Sequence, residues 1–174
     1  MKQLRPNRPS LEVVIAGPTD RLPLYRMLEL YQHDLSDLWD QDLDVHGEYG
    51  YELDRFMRQS NAWGYVFRLS GNLAGLALVD TRVRVPGDDF WMDQFFILKK
   101  YRHQGIGAEG AVQVFARHPG RWQVGQMPHN TSAQTFWRKV IGAYTAGKYV
   151  EEQLTSGSWQ GCVQRFVSPV QSDD

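Results

Sequence analysis

One cysteine among 174 residues, Cys162, excludes an internal disulfide framework and any metal site built from several thiolates. The lone thiol is expected in the core, and such sparse cysteine fits a reducing compartment. An excess of one charge sign is also missing: 19 Lys and Arg stand against 20 Asp and Glu, for a formal net charge of -1. The global basic surplus that nucleic acid or an anionic membrane would demand is therefore absent. No apolar run approaches the roughly 20 residues of a membrane span, and the opening MKQLRPNRPS does not read as a leader. A soluble, cytoplasmic protein without nucleic-acid or membrane partners is expected. His103 and His129 have no Cys or carboxylate at metal-ligand spacing, so no metal is expected either.

What is present reads as one domain over 1–174, with flexible ends at 1–9 and 169–174. LEVVIA (11–16) is a strand closed by Gly17 and Pro18, and a helix opens near Thr19 or Asp20 with Tyr25, Leu28, Leu35, Leu38 and Trp39 on its apolar face. A carboxylate-rich loop and short helix follow. WGYVFRLS and LAGLALVDTRV flank a turn at Gly71 and Asn72, and FWMDQFFIL (90–98) is a third strand of a meander. A helix over 105–118 stops at Pro119 and Gly120. RWQVGQM (121–127) is a strand, and NTSAQTFWRKVIG is a helix capped by Asn130 and ended by Gly142. YTAGKYVEEQL and WQGCVQRFV close the chain as a hairpin around TSGS. The fold class is α/β, with a mixed, largely antiparallel sheet.

Between strand 90–98 and the next helix lies YRHQGIGAEG. Glycines at 105 and 107 let backbone approach a ligand and aim the unpaired N–H groups of a helix start at it, an arrangement that favours phosphate. Arg102 and Lys99 or Lys100 could add charge. Two glycines alone would equally serve a tight turn and close helix packing. No Lys-Ser or Lys-Thr follows as in a P-loop, and the dinucleotide fingerprint lacks its spacing.

FFILKKYRHQGIGA resembles the coenzyme-A loop of the GNAT superfamily of N-acetyltransferases, whose pattern is Arg or Gln, two residues, Gly, one residue, then Gly or Ala. Arg102, His103, Gln104, Gly105, Ile106 and Gly107 fit it, with Ala108 next. NTSAQTFWRKVIG resembles the superfamily's second coenzyme-A element through Asn130, Ala133, Phe136, Trp137 and Lys139. The order of elements is similar across nearly the whole chain. The resemblance implies six to seven strands flanked by about four helices, acetyl-coenzyme A as cosubstrate, and a strand 90–98 that splays from its neighbour. The backbone of Phe95, Phe96 and Ile97 would then bind the pantetheine arm.

It also implies a primary-amine acceptor that must lose a proton, and Asp93 is the candidate base. Strand alternation puts Asp93 on the face of Phe95 and Ile97, and Gln94 on the other. Trp137 stands where many members place an acidic Tyr, and an indole N–H is no practical acid. Tyr144, just beyond, is the candidate substitute, or the thiolate leaves unassisted.

Between Asp34 and Asp54 stand eight carboxylates and no Lys or Arg, interleaved with Trp39, Tyr49 and Tyr51. This segment, with Trp39, Asp40, Tyr49 and Asp93 as contacts, would attract a cationic small molecule. It reads equally as a solubilising face. A protein lysine or N-terminus as acceptor, and a non-catalytic acyl-coenzyme-A module, stay open. Six tryptophans point to an aromatic acceptor site or to an interface such as a homodimer.

Overall fold

A computed structural model describes residues 10–157 and 159–170. The expected flexible end at 1–9, residues 171–174 of the one at 169–174, and Ser158 of the closing turn lie outside the described residues.

Strand β1 (Leu11–Ile15) leads through a short 3-10 turn, Pro18–Asp20, into helix α1 (Arg21–Trp39). Pro23 sits in the first turn, where its missing N–H has no helical partner to lose. The buried stripe of α1 is Leu24, Met27, Leu28, Gln32 and Leu35, while Leu38 and Trp39 stand exposed near the helix end. The chain leaves α1 at Asp40 in a left-handed conformation (φ 49°), crosses a loop, and makes one helical turn, α2 (Asp54–Met57).

Strands β2 (Ala62–Leu69) and β3 (Asn72–Asp80) form the expected hairpin. Its two left-handed positions are Ser70 (φ 50°) and Gly71 (φ 79°), so Asn72 begins the strand rather than completing the turn. Strand β4 (Phe90–Ile97), helix α3 (Ile106–Arg117), strand β5 (Gly120–Gln126), helix α4 (Thr131–Tyr144), and strands β6 (Tyr149–Leu154) and β7 (Gly161–Ser168) complete the chain. Helix α4 passes Gly142, because Tyr144 packs its ring on Phe115 and Phe166, and the chain reverses instead at Ala146 and Gly147.

The seven strands form one sheet in the order β1-β2-β3-β4-β5-β7-β6. Every neighbouring pair is antiparallel except β4 and β5, which run parallel. That pair touches only through Phe90 to Met92 against Trp122 to Val124, and beyond it the two strands part. One sheet face packs α3 and α4 through Phe67, Phe115, Trp122 and Trp137; the other packs α1 and α2 through Leu24, Leu28, Phe56, Leu76 and Phe96. Gly110 lets α3 settle on the sheet, since a Cβ there would fall 2.6 Å from the Phe67 ring. No described helix is long and apolar enough to cross a membrane.

Candidate functional site

The parting of β4 from β5 opens a cleft of about 1750 Å³, walled by α1, β4, the start of α3, the end of β5, α4 and Trp159. Most of the residues singled out in the sequence border it.

At one end, Gly105 takes φ 82° and Glu109 N–H makes the first helical bond, to the Gly105 carbonyl. The N–H groups of Ile106, Gly107 and Ala108 therefore have no partner within the helix, and the helix dipole adds positive potential there. His103 is also left-handed (φ 61°), and Gln104 Nε2 donates to the Lys100 carbonyl at 2.8 Å, which fixes the loop. Gly107 serves packing as well: a Cβ would lie 3.2 Å from the Phe136 ring and 3.4 Å from Ile97. Phe136 in turn stacks on Phe95, ring centroids 5.8 Å apart, and Trp137 meets Phe95 edge to face.

Arg102 does not carry free charge to this end. Its Nε donates to the Ile97 carbonyl at 2.7 Å and its terminal nitrogen to Asp34 at 2.6 Å, with Lys99 also on Asp34. Asp34 is held below the usual carboxylate range by these two cations, against burial, the largest influence on it. Asn130 caps α4, its side-chain oxygen accepting from Ala133 N–H at 3.1 Å. Lys139 lies exposed on the cleft wall without an ion-pair partner among the described residues.

In the middle, Leu98 N–H donates to the Ala74 carbonyl at 2.9 Å, and Leu76 pairs with Phe96. In an antiparallel ladder this aims the N–H and C=O of Phe96 at β3, and those of Phe95 and Ile97 the opposite way, into the gap. Among the described residues, Ile97 C=O alone is occupied there, by Arg102.

At the other end the expected placement of Asp93 is corrected. Leu78 pairs with Gln94 but Val79 pairs with Met92, so Asp93 is the extra residue of a β-bulge. Alternation is interrupted, and Asp93 faces α2 rather than the side of Phe95 and Ile97. Tyr51 OH donates to its carboxylate at 2.5 Å, and Arg55 lies 3.5 Å from the other oxygen while pairing with Asp80 at 2.5 Å. Gln94 also lies beside the Tyr51 hydroxyl. Burial first, and then the Asp93 charge, push the Tyr51 and Tyr31 phenols well above their usual range, so both stay protonated donors. Burial likewise raises Asp80.

Tyr144 borders the cleft, with its hydroxyl engaged at 2.8 Å with Ser168 Oγ, which itself donates to the Phe115 carbonyl. Of the substrate contacts, Trp39 and Asp93 border the cleft, whereas Asp40 and Tyr49 do not. Tyr49 is turned to His33, and its N–H is held by Glu29. The acidic field is partly spent as well: Asp34 pairs with Lys99 and Arg102, Asp54 with Arg21, and Asp44 holds the N–H groups of His46 and Glu48. Cys162 is fully buried, and burial raises its thiol.

Tyr31, Arg55, Arg84, Trp91 and Trp159 escape a reading of the sequence. Four of them reach the site through contacts distant in sequence, and Trp91 lies on β4 two residues before Asp93; the count of tryptophans is their one signal in the sequence.

No family model matches the sequence, and no curated protein matches it. Solved structures do. An acetyltransferase from Thermus thermophilus superposes with a TM-score of 0.65 at 15% identity, over 91% of this chain and 97% of the other. An aminoglycoside acetyltransferase, AAC(6')-Ib, in complex with coenzyme A gives 0.62 at 14%, over 91% and 95%. A GNAT-family acetyltransferase from Staphylococcus aureus gives 0.58 at 12%, over 90% and 98%. Likeness of this extent and at these identities concerns architecture, and the chain has the fold of the GNAT acetyltransferases.

Proposed function

We propose that this protein is an acyltransferase that moves an acetyl group from acetyl-coenzyme A to a primary amine by direct attack in a ternary complex. One observation carries the reading. A single cleft joins three helix amides without helical partners, the open edge of β4, and a carboxylate held by a fixed hydroxyl.

Acetyl-coenzyme A supplies an acetyl group already activated as a thioester. The residues present fit it. Ile106, Gly107 and Ala108 would hold its diphosphate through main-chain N–H, with Lys139 as the exposed cation on the α4 wall. Phe95 N–H and C=O and Ile97 N–H would pair with its amide-bearing arm as an added strand does. An N–H on this edge also stabilises negative charge developing on the acetyl oxygen.

Asp93 acts on the acceptor. An aliphatic amine of pKa about 10 arrives as ammonium. Asp93 attracts it and accepts the proton that must leave before nitrogen attacks. Tyr51, kept protonated by burial, orients the carboxylate through its hydroxyl, and neither it nor Tyr31 competes as a base. No side-chain acid is assigned to the departing sulfur, since Trp137 offers only an indole N–H and Tyr144 is bonded to Ser168. Trp39 and Tyr31 at the cleft suit a small molecule, cationic at the reacting nitrogen.

Thermal unfolding with acetyl-coenzyme A, free coenzyme A and ATP tests the reading. A ligand of the folded state adds about 2.7 kcal/mol at one hundred times its Kd. A shift specific to the two coenzyme forms is expected. Asp93→Asn is expected to keep that shift while turnover falls by roughly a hundred- to ten-thousandfold. Absence of a shift at millimolar ligand refutes the coenzyme site, and full turnover by the variant removes Asp93 from the reaction.

A further inference from the structure

Five arginines of the described residues are half-buried: Arg55, Arg68, Arg84, Arg102 and Arg165. Four of them rest on carboxylates, of Asp80 and Asp93, Asp20, Asp34, and Asp88 and Glu152 respectively. Arg84 alone has none. Its Nε is covered and finds no acceptor, and no described carboxylate lies within 4.0 Å of its guanidinium. A covered Nε–H without an acceptor is costly, because that donor loses hydration and gains nothing, while the terminal nitrogens stay open to the cleft and to a ligand.

Arg84 is nonetheless held in place. Its loop, between β3 and β4, is tied down by fully buried Gln123, whose oxygen accepts from Arg84 N–H at 2.8 Å and Val85 N–H at 3.1 Å. Its guanidinium carbon lies 5.0 Å from the Trp91 ring centroid. Trp91 is itself braced by Trp159 at 5.2 Å, both indoles meeting over Gly125, where a Cβ would fall 2.3 Å from one and 2.7 Å from the other. The nearest acid of the loop, Asp88, is taken by Arg165 at 2.6 and 3.0 Å and by Gln123 at 2.7 Å.

Arg84, Trp91 and Trp159 border the same cleft as Asp93. The anion that completes Arg84 is not the coenzyme diphosphate. Trp91 and Ile97 are six residues apart on β4, about 20 Å in a strand, and the α3 amides lie beyond Ile97. On the acceptor side, Asp93 stands two residues from Trp91, about 7 Å away.

We propose that Arg84 is an anion-binding residue for the acceptor, and that the acceptor is a primary amine carrying a free carboxylate, in chemical class an amino acid, with its nitrogen at Asp93 and its carboxylate at Arg84. This rests on the acetyl-transfer reading above. A planar guanidinium fixed on an indole suits the two coplanar oxygens of a carboxylate.

The test is acetyl-coenzyme-A-dependent thiol release with free amino acids, their matched amides, and phosphoethanolamine. In the wild-type protein the best acceptors are expected to be free acids, preferred over their amides by about ten- to a hundredfold in kcat/KM, the scale of a charged hydrogen-bonded pair. Arg84→Met is expected to abolish the preference by raising KM for the acids with kcat kept, and to affect the amides far less. Arg84→Lys, which keeps charge without the planar stack, is expected to retain part of it and guards against a folding defect. Amides as good as acids, or a preference surviving in Arg84→Met, overturns the proposal. Preference for phosphoethanolamine overturns the carboxylate assignment. If acetyl-coenzyme A raises the melting temperature but no amino acid is turned over, the acceptor class is wrong; if it raises nothing, the coenzyme reading itself fails.

Discussion

Replacing Gln123 by alanine removes an amide that serves four groups at once. Its oxygen accepts from Arg84 and Val85 N–H, and its nitrogen donates to the Val85 carbonyl at 2.6 Å and to Asp88 at 2.7 Å. Asp88 keeps Arg165, so three backbone groups are left without a partner. An unmet buried polar group costs about 1 to 3 kcal/mol, and the half-exposed loop admits water to some of them, which favours the lower end. Three groups at about 1 kcal/mol each, with about 1 kcal/mol for lost packing, give roughly 4 kcal/mol. At roughly 2 to 4 °C per kcal/mol for a chain of this size, the melting temperature is expected to fall by about 10 °C. Urea unfolding should show a lower midpoint with an unchanged slope. Gln123→Met, which restores volume but not hydrogen bonds, is expected to recover only the packing share. A loss below about 1 kcal/mol in Gln123→Ala would refute the argument, because the loop that carries Arg84 would then be held by something else.

His118 gives a prediction in pH. It is packed among Trp63, Phe90 and Trp122, with Nε2 at 2.7 Å from Tyr65 OH; burial, and then Arg117, lower its pKa from 6.5 to about 4. Between these values the unfolded chain binds a proton that the folded protein refuses, so stability falls as pH drops from about 6.5 to about 4 and the loss levels off below that. The share from this residue is about 3 kcal/mol. Denaturant midpoints across this window should lose that part of their slope in His118→Phe, and an unaltered slope refutes it. Gly125→Ala would drive a Cβ into Trp91 and Trp159; a loss of about 2 kcal/mol and an altered near-ultraviolet circular dichroism are expected, and an unchanged spectrum would show that the two indoles have room to spare.

The sheet and the four helices are legible in the sequence because they depend on local rules. Apolar and aromatic runs bounded by turn residues mark β2 to β4, Asn130 marks the start of α4, and positive-φ residues mark the first hairpin. Local rules mislead where a distant residue decides. Arg102 looks like a phosphate ligand until Asp34, 68 positions away, takes it. Gly142 looks like a helix end until Phe115 and Phe166 offer Tyr144 a packing surface. The sequence puts Asp93 on the right strand but on the wrong face, since an extra residue in one strand leaves no mark on its own composition. Its partners Tyr51 and Arg55 lie 42 and 38 positions upstream. Arg84 is one of many arginines in the sequence, and what sets it apart is a missing partner, which only the packed structure reveals.

The bulge at Asp93 also bears on how sequences of this kind should be compared. Any protein that builds this strand without the extra residue will agree with this one on only one side of position 93, and will be displaced by one residue on the other. A gapless alignment would then set inward residues against outward ones through half of β4, and the carboxylate would be matched to whatever its counterpart packs in the core. Relatives of this chain are better aligned from both ends of β4 inward, with the single gap allowed opposite Asp93.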